Sequence, residues 1–141
     1  MRVFLDANVL FSAAKSDGAV RALLRRLQDH GHECRADAYV VAEARRNLEA
    51  KGPQAVGKLD ELLVGVRVSA VGRPPARSTP TKVVDWLPEK DRPVLAAAIA
   101  LGCEALVTGD RTHFGAGYGR AFGSVTICSP RLLAEWLLLV E

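Results

Sequence analysis

Cysteine is scarce in this chain: Cys34, Cys103 and Cys128 are widely spaced, odd in number and without a CxxC pair. That argues against a disulfide framework and against a structural zinc site, and for buried thiols in a reducing cytoplasm. Long apolar runs are also missing. The longest stop well short of the roughly 18–20 residues that a membrane span needs. The opening stretch, MRVFLDANV, meets an aspartate at position 6, which leaves no room for the apolar region of a secretory signal. These shortages lead us to expect a soluble, unprocessed, cytoplasmic protein with no membrane partner. No internal repeat is visible, and no Ser/His/Asp or Cys/His arrangement suggests nucleophilic catalysis.

What is present suits one ordinary domain over residues 1–141. Hydrophobic residues make up 49% of the chain, enough for a core at this length. The net charge of +3 is a weak pointer to a nucleic-acid partner. Its distribution is more telling. Arg21, Arg25 and Arg26 cluster on one segment, Arg45 and Arg46 on another, and Arg92 and Arg111 each directly follow an acid considered below.

Short apolar runs alternate with helical periodicity. Residues 2–5 read as a buried strand ending in Asp6-Ala7-Asn8, a turn into a helix. Val20, Leu23, Leu24 and Leu27 have helical spacing, and Gly31 ends that helix. A short strand is expected at 33–36, helices at 38–50 and 54–63, and a strand at 64–71. The proline-bearing stretch 72–80 reads as a surface connection. An alanine-rich helix is expected over 88–101 and a strand over 105–108 ending in Gly109-Asp110. A glycine-rich loop (Gly115, Gly117, Gly119, Gly123) follows, read as a mobile rim because it lacks the Gly-Lys-Ser/Thr of a phosphate-binding loop. A last strand at 125–128 leads into a C-terminal helix with Ser129 as N-cap and Pro130 at its first position. Such alternation predicts an α/β fold with three layers, a parallel sheet between helices. Ligands in such folds bind beyond the carboxyl ends of the strands.

That rule makes the acids informative. Asp6 and Asp110 each end a strand and are expected on the same sheet edge. Asp91 opens a helix, where an aspartate also serves as N-cap. Glu43 falls at the margin of the apolar stripe formed by Val40, Val41, Ala44 and Leu48, from where it can reach inward under the rim of the sheet. Carboxylates brought together stay ionised only when a cation joins them. Oxygen ligands suit a hard ion, Mg²⁺ or Mn²⁺, which can activate a water for phosphodiester hydrolysis.

The segments Phe4-Leu5-Asp6-Ala7-Asn8-Val9-Leu10, Val41-Ala42-Glu43-Ala44-Arg45-Arg46-Asn47-Leu48, Asp91 followed by Val94-Leu95-Ala96-Ala97-Ala98, and Leu106-Val107-Thr108-Gly109-Asp110 with Phe114 resemble the motifs of PIN domains. This family of nucleases includes VapC-like toxins of toxin–antitoxin pairs. The resemblance implies that Asp6, Glu43, Asp91 and Asp110 are the metal-binding, catalytic acids, that RNA is the substrate, and that the sheet has about five strands. It also implies a toxin role. Some members carry a further acid shortly after the last one, where this chain has Arg111, Thr112 and His113.

Asn8 and Thr108 are expected to orient a carboxylate or a bound water from outside the ligand shell. Arg92, Arg111 and Arg120 are candidates for holding RNA phosphates, and His113 for touching a phosphate or moving a proton. The C-terminal helix (Leu132, Leu133, Trp136, Leu137, Leu138, Leu139, Val140) has more apolar surface than one face needs, which suits a homodimer or an antitoxin contact. Two rivals stand beside this reading. A haloacid-dehalogenase-type phosphatase would need a second aspartate where Asn8 stands. A PIN-like docking or RNA-binding module without cleavage would need no complete quartet.

Overall fold

The computed structural model describes residues 1–70, 72–73 and 79–140, apart from the side chains of residues 81, 139 and 140. In chain order, β1 (Arg2–Leu5) leads into α1 (Ala7–Lys15) and α2 (Ala19–Asp29), then β2 (Glu33–Asp37) and α3 (Ala38–Lys51). A 3₁₀ turn precedes α4 (Val56–Leu63), followed by β3 (Val66–Ser69) and the short α5 (Thr81–Val84). A second 3₁₀ turn, Glu89–Asp91, enters α6 (Arg92–Ala100), followed by β4 (Ala105–Val107) and α7 (Arg111–Phe114). The chain closes with β5 (Ala121–Phe122), β6 (Val125–Cys128) and α8 (Pro130–Val140).

The sheet order is β3-β2-β1-β4-β6-β5. The first five of these strands run parallel, and β5 pairs antiparallel with β6 at the edge. The expected parallel sheet of about five strands is present, and one antiparallel strand added at its edge makes the whole sheet mixed and six-stranded. The extra strand comes from the glycine-rich segment, where Gly123 at φ 62° turns β5 back onto β6. That segment is not simply a loop. It follows α7 and folds as a 3₁₀ turn and β5, and Gly117 lies so close to the Trp86 ring that a Cβ there would collide with it. Trp86 in turn stacks on Phe122 at 4.7 Å and meets Phe114 edge-on.

Val3, Phe4 and Leu5 are wholly buried, as a central parallel strand covered on both faces requires. Helix α1 buries Ala7, Val9, Leu10, Ala13 and Ala14. Five consecutive residues of α6, Val94 to Ala98, are buried, so its alanines let the helix approach β4 and β6 closely. Ser129 Oγ accepts from the Leu132 N–H, the expected cap of α8. That helix buries Leu133 and Leu137 and leaves Leu138 exposed. All three cysteines are buried free thiols, and burial pushes each pKa up to about 11. Among the described residues, no helix is long and apolar enough to cross a membrane. Most of the 72–80 connection lies outside the described residues, and so does the end of the strand expected over 64–71, which is seen from Val66 to Ser69.

The arginine clusters prove to be largely structural. Arg21 donates to the Ala13 and Ala14 carbonyls at 2.7 and 3.0 Å, closing the end of α1. Arg25 pairs with Asp17, and Arg45 with Asp60. A further acid ends β2. Asp37 is buried, accepts from the Val40 N–H at 2.9 Å as the cap of α3, and receives Arg73 Nε at 2.7 Å. Arg73 also lies over the Tyr39 ring at 4.6 Å. Removing Asp37 would uncap a helix and strand a half-buried guanidinium, so Asp37→Ala is expected to cost about 3 kcal/mol in urea unfolding. Loss of less than about 1 kcal/mol would show that neither role matters.

Candidate active site

The chain runs β1 to β2 to β3 toward one edge of the sheet, then returns to place β4 on the other side of β1. The order of strands reverses between β1 and β4, and a crevice opens beyond their carboxyl ends at such a switch point. Leu5 pairs with Val107 in register, and the Asp6 N–H continues the ladder to the Val107 carbonyl at 3.1 Å. This sets Asp6 beside Thr108.

Thr108 Oγ1 donates to Asp6 Oδ2 at 2.8 Å. The same oxygen accepts from the Asp110 N–H at 3.1 Å and from Asn8 Nδ2 at 3.2 Å. Asn8 Nδ2 also reaches Asp6 Oδ2 at 3.3 Å, while its Oδ1 accepts from the Gly109 N–H at 2.7 Å. Asp6 Oδ1 accepts from the Ala7 N–H. The two strand-end acids are thus tied together through Asn8 and Thr108, the positions expected to orient them.

Asp6 is only 6% exposed. Burial raises its pKa most. Hydrogen bonds from Thr108 and Ala7 pull it down, and the charges of Glu43 and Asp91 push it up again. Glu43, exposed on α3, therefore enters through its field on Asp6. Asp91 and Asp110 meet at His113. His113 Nδ1 is 3.0 Å from Asp91 Oδ2 and 2.8 Å from Asp110 Oδ2. Yet Asp91 Oδ2 and His113 Nδ1, both shut off from solvent, make no hydrogen bond of adequate geometry. One donor atom each from Asp91, Asp110 and His113 lies within 4.8 Å of the others. Buried, unpartnered donors among crowded carboxylates are what a cation would satisfy, so these residues fit a divalent metal.

A PIN domain family model matches residues 2–112. The chain belongs to the PIN domain family. PIN domains are nucleases that use a divalent metal. Solved structures similar to this PIN domain include VapBC2 from Rickettsia felis bound to a DNA fragment from their promoter, with 18% identity and TM-score 0.66 over 92% of this chain and 98% of that one. VapBC-1 from nontypeable Haemophilus influenzae has 13% identity and TM-score 0.62 over 93% and 99%. VapC20 from Mycobacterium tuberculosis, a Sarcin-Ricin loop cleaving toxin, has 16% identity and TM-score 0.56 over 84% and 98%. At these identities the likeness establishes the fold. No curated protein matches.

In this PIN domain the capping roles differ from expectation. Asp91 occupies the N-cap position of α6, but its side chain makes no capping hydrogen bond. Asp6 and Asp110 do: Asp6 on Ala7, and Asp110 Oδ1 on the His113 N–H at 3.1 Å. Arg92 donates to the Leu87 and Asp85 carbonyls, bracing the turn ahead of Asp91. Arg111 is exposed beside Asp110, and Arg120 lies over the Phe122 ring. Tyr118, which the sequence did not single out, donates to the Thr108 carbonyl at 2.8 Å and braces the strand end from behind. No periodicity marks it, because it sits within the glycine-rich segment between Gly117 and Gly119.

Because burial and neighbouring charges raise the Asp6 pKa, the folded PIN domain holds that proton more tightly than the unfolded chain. This favourable contribution is complete below the ordinary aspartate value and disappears as pH rises through the raised one. In EDTA, melting curves of wild type and Asp6→Asn should show the wild type losing ground to the variant as pH rises through that window. A constant difference from acid to neutral pH would overturn the assignment.

Proposed function

We propose that this PIN domain is a metal-dependent endoribonuclease, the toxin component of a toxin–antitoxin pair, acting in the cytoplasm. The observation that supports it best is the junction of Asp6 and Asp110 through Thr108 at the switch point, with Asp91 alongside. Asp6, Glu43, Asp91 and Asp110 would hold Mg²⁺ or Mn²⁺. When bound, such an ion supplies a Lewis acid that lowers the pKa of a water and offsets charge on a phosphoryl oxygen.

The chain's own residues prepare the site. Thr108 and Asn8 pin Asp6 Oδ2, so its carboxylate need not reorganise when the substrate arrives. Arg111, exposed next to Asp110, offers a cation to the backbone of an approaching RNA. Arg92 supports the reading only indirectly, by bracing the turn before Asp91. The phosphatase alternative is weakened at Asn8, whose amide is engaged by Asp6, Thr108 and Gly109 and is no second nucleophile-side acid. An antitoxin partner or a homodimer is supported by the VapBC assemblies among similar structures and by the exposed Leu138 on α8.

The test is cleavage of labelled RNA with Mg²⁺ or Mn²⁺. Asp6→Asn and Asp110→Asn are each expected to slow it by more than about 100-fold, beyond the 10–100-fold that follows loss of an outer-shell partner. Thr108→Val should fall inside that smaller range. Equal rates in all four proteins, or unchanged rates in EDTA, would leave a non-catalytic RNA-binding or docking module.

A further inference from the structure

We propose that His113 Nδ1 is a direct ligand of the divalent cation, joining Asp91 and Asp110, and that this nitrogen donor makes the site favour Mn²⁺ over Mg²⁺. The inference rests on the metal-dependent reading above and adds to it a ligand that is not an acid.

The separations carry it. In an octahedral shell with bonds of roughly 2.1 Å, neighbouring ligand atoms lie about 3.0 Å apart and opposite ones about 4.2 Å. His113 Nδ1 stands 2.8 Å from Asp110 Oδ2 and 3.0 Å from Asp91 Oδ2, and donor atoms of the three residues fit within 4.8 Å. These are the spacings of atoms that share an ion.

A charged imidazole between two carboxylates is the competing explanation, and the geometry disfavours it. The Nδ1–H bond points in one direction, in the ring plane, so a protonated ring would aim it at one carboxylate oxygen. Here Nδ1 has no hydrogen-bond partner, and neither does Asp91 Oδ2, although both atoms are sealed from solvent. The local fold sets this arrangement. Asp110 caps α7 with Oδ1 on the His113 backbone N–H, which turns its Oδ2 toward the ring. The three-residue spacing brings His113 over the same face of the turn.

The choice of ion follows from donor chemistry. Carboxylate oxygens suit Mg²⁺ and Mn²⁺ alike, but an imidazole nitrogen is a softer donor that transition ions accept more readily than Mg²⁺ does.

Pulsed EPR on the full chain loaded with Mn²⁺ tests the assignment directly, beside calorimetric titration with Mn²⁺ and with Mg²⁺. Coupling from a ligating ¹⁴N is expected in the wild type and absent in His113→Gln, which should bind Mn²⁺ at least about 10-fold more weakly. His113→Asp should keep Mn²⁺ binding without the nitrogen coupling and narrow the gap between the two ions. Thermal melting of the metal-free variants checks that they fold. Mn²⁺ binding without ¹⁴N coupling in the wild type, or equal affinity in wild type and His113→Gln, overturns this inference while leaving the nuclease reading intact. Failure of the folded wild type to take up either ion overturns both.

Discussion

A hydroxyl group can donate one hydrogen bond and accept two, and Thr108 uses all three inside the protein. It gives its proton to Asp6, takes one from the Asp110 backbone and one from Asn8. The acid after β1 and the acid after β4 are thereby fixed relative to each other by a group with no capacity to spare. The residue itself is fully buried, so no water competes for these contacts. A fully satisfied polar network in a low-dielectric setting is stiff, whereas the same network missing one partner would be a liability. The site's geometry is therefore a property of the sheet. The register Leu5↔Val107 sets it, and the packing that holds β1 and β4 together holds the acids together too.

The parts of this arrangement that show in the sequence are those governed by local periodicity. Three wholly buried residues in a row before Asp6, and three before Thr108, read as interior strands because little else buries every successive side chain. The helical angle puts Glu43 at the margin of the α3 stripe, and it is exposed there. What did not show depends on partners far away along the chain. Asp91 looks like a helix cap by position, but its side chain turns toward His113, 22 residues on. The antiparallel strand β5 has only two residues and exists because Gly123 permits a reversal, so no pattern could announce it. Asp37 ends a strand just as Asp6 does, and the strand-end argument alone does not separate them. The difference is Arg73, which pairs with Asp37, where nothing comparable among the described residues meets Asp6.

The basic character of the chain shows the same division. A net charge of +3 invites a nucleic-acid reading, but several arginines behind that number serve the fold. Arg21 ends a helix, Arg92 braces a turn, Arg45 pairs across two helices and Arg73 neutralises an interior acid. A guanidinium has five donors in a rigid plane and suits carbonyl-rich chain ends as well as phosphates. Location, not number, separates the two uses, and Arg111 stands exposed next to Asp110.

The Thr108–Asp6 contact joins residues 102 positions apart. The two halves of the crevice are thus far apart along the chain, with two other strands and six helices between them. Parallel strands brought together over such a span meet late, since the loop they close must be ordered before any pairing rewards it. A growing polypeptide that has emerged only as far as β3 holds Asp6 and Glu43 but has nothing to complete them. The assembled crevice appears only once β4 has emerged and paired with β1, so the nascent chain carries two of its acids for some time without a finished site.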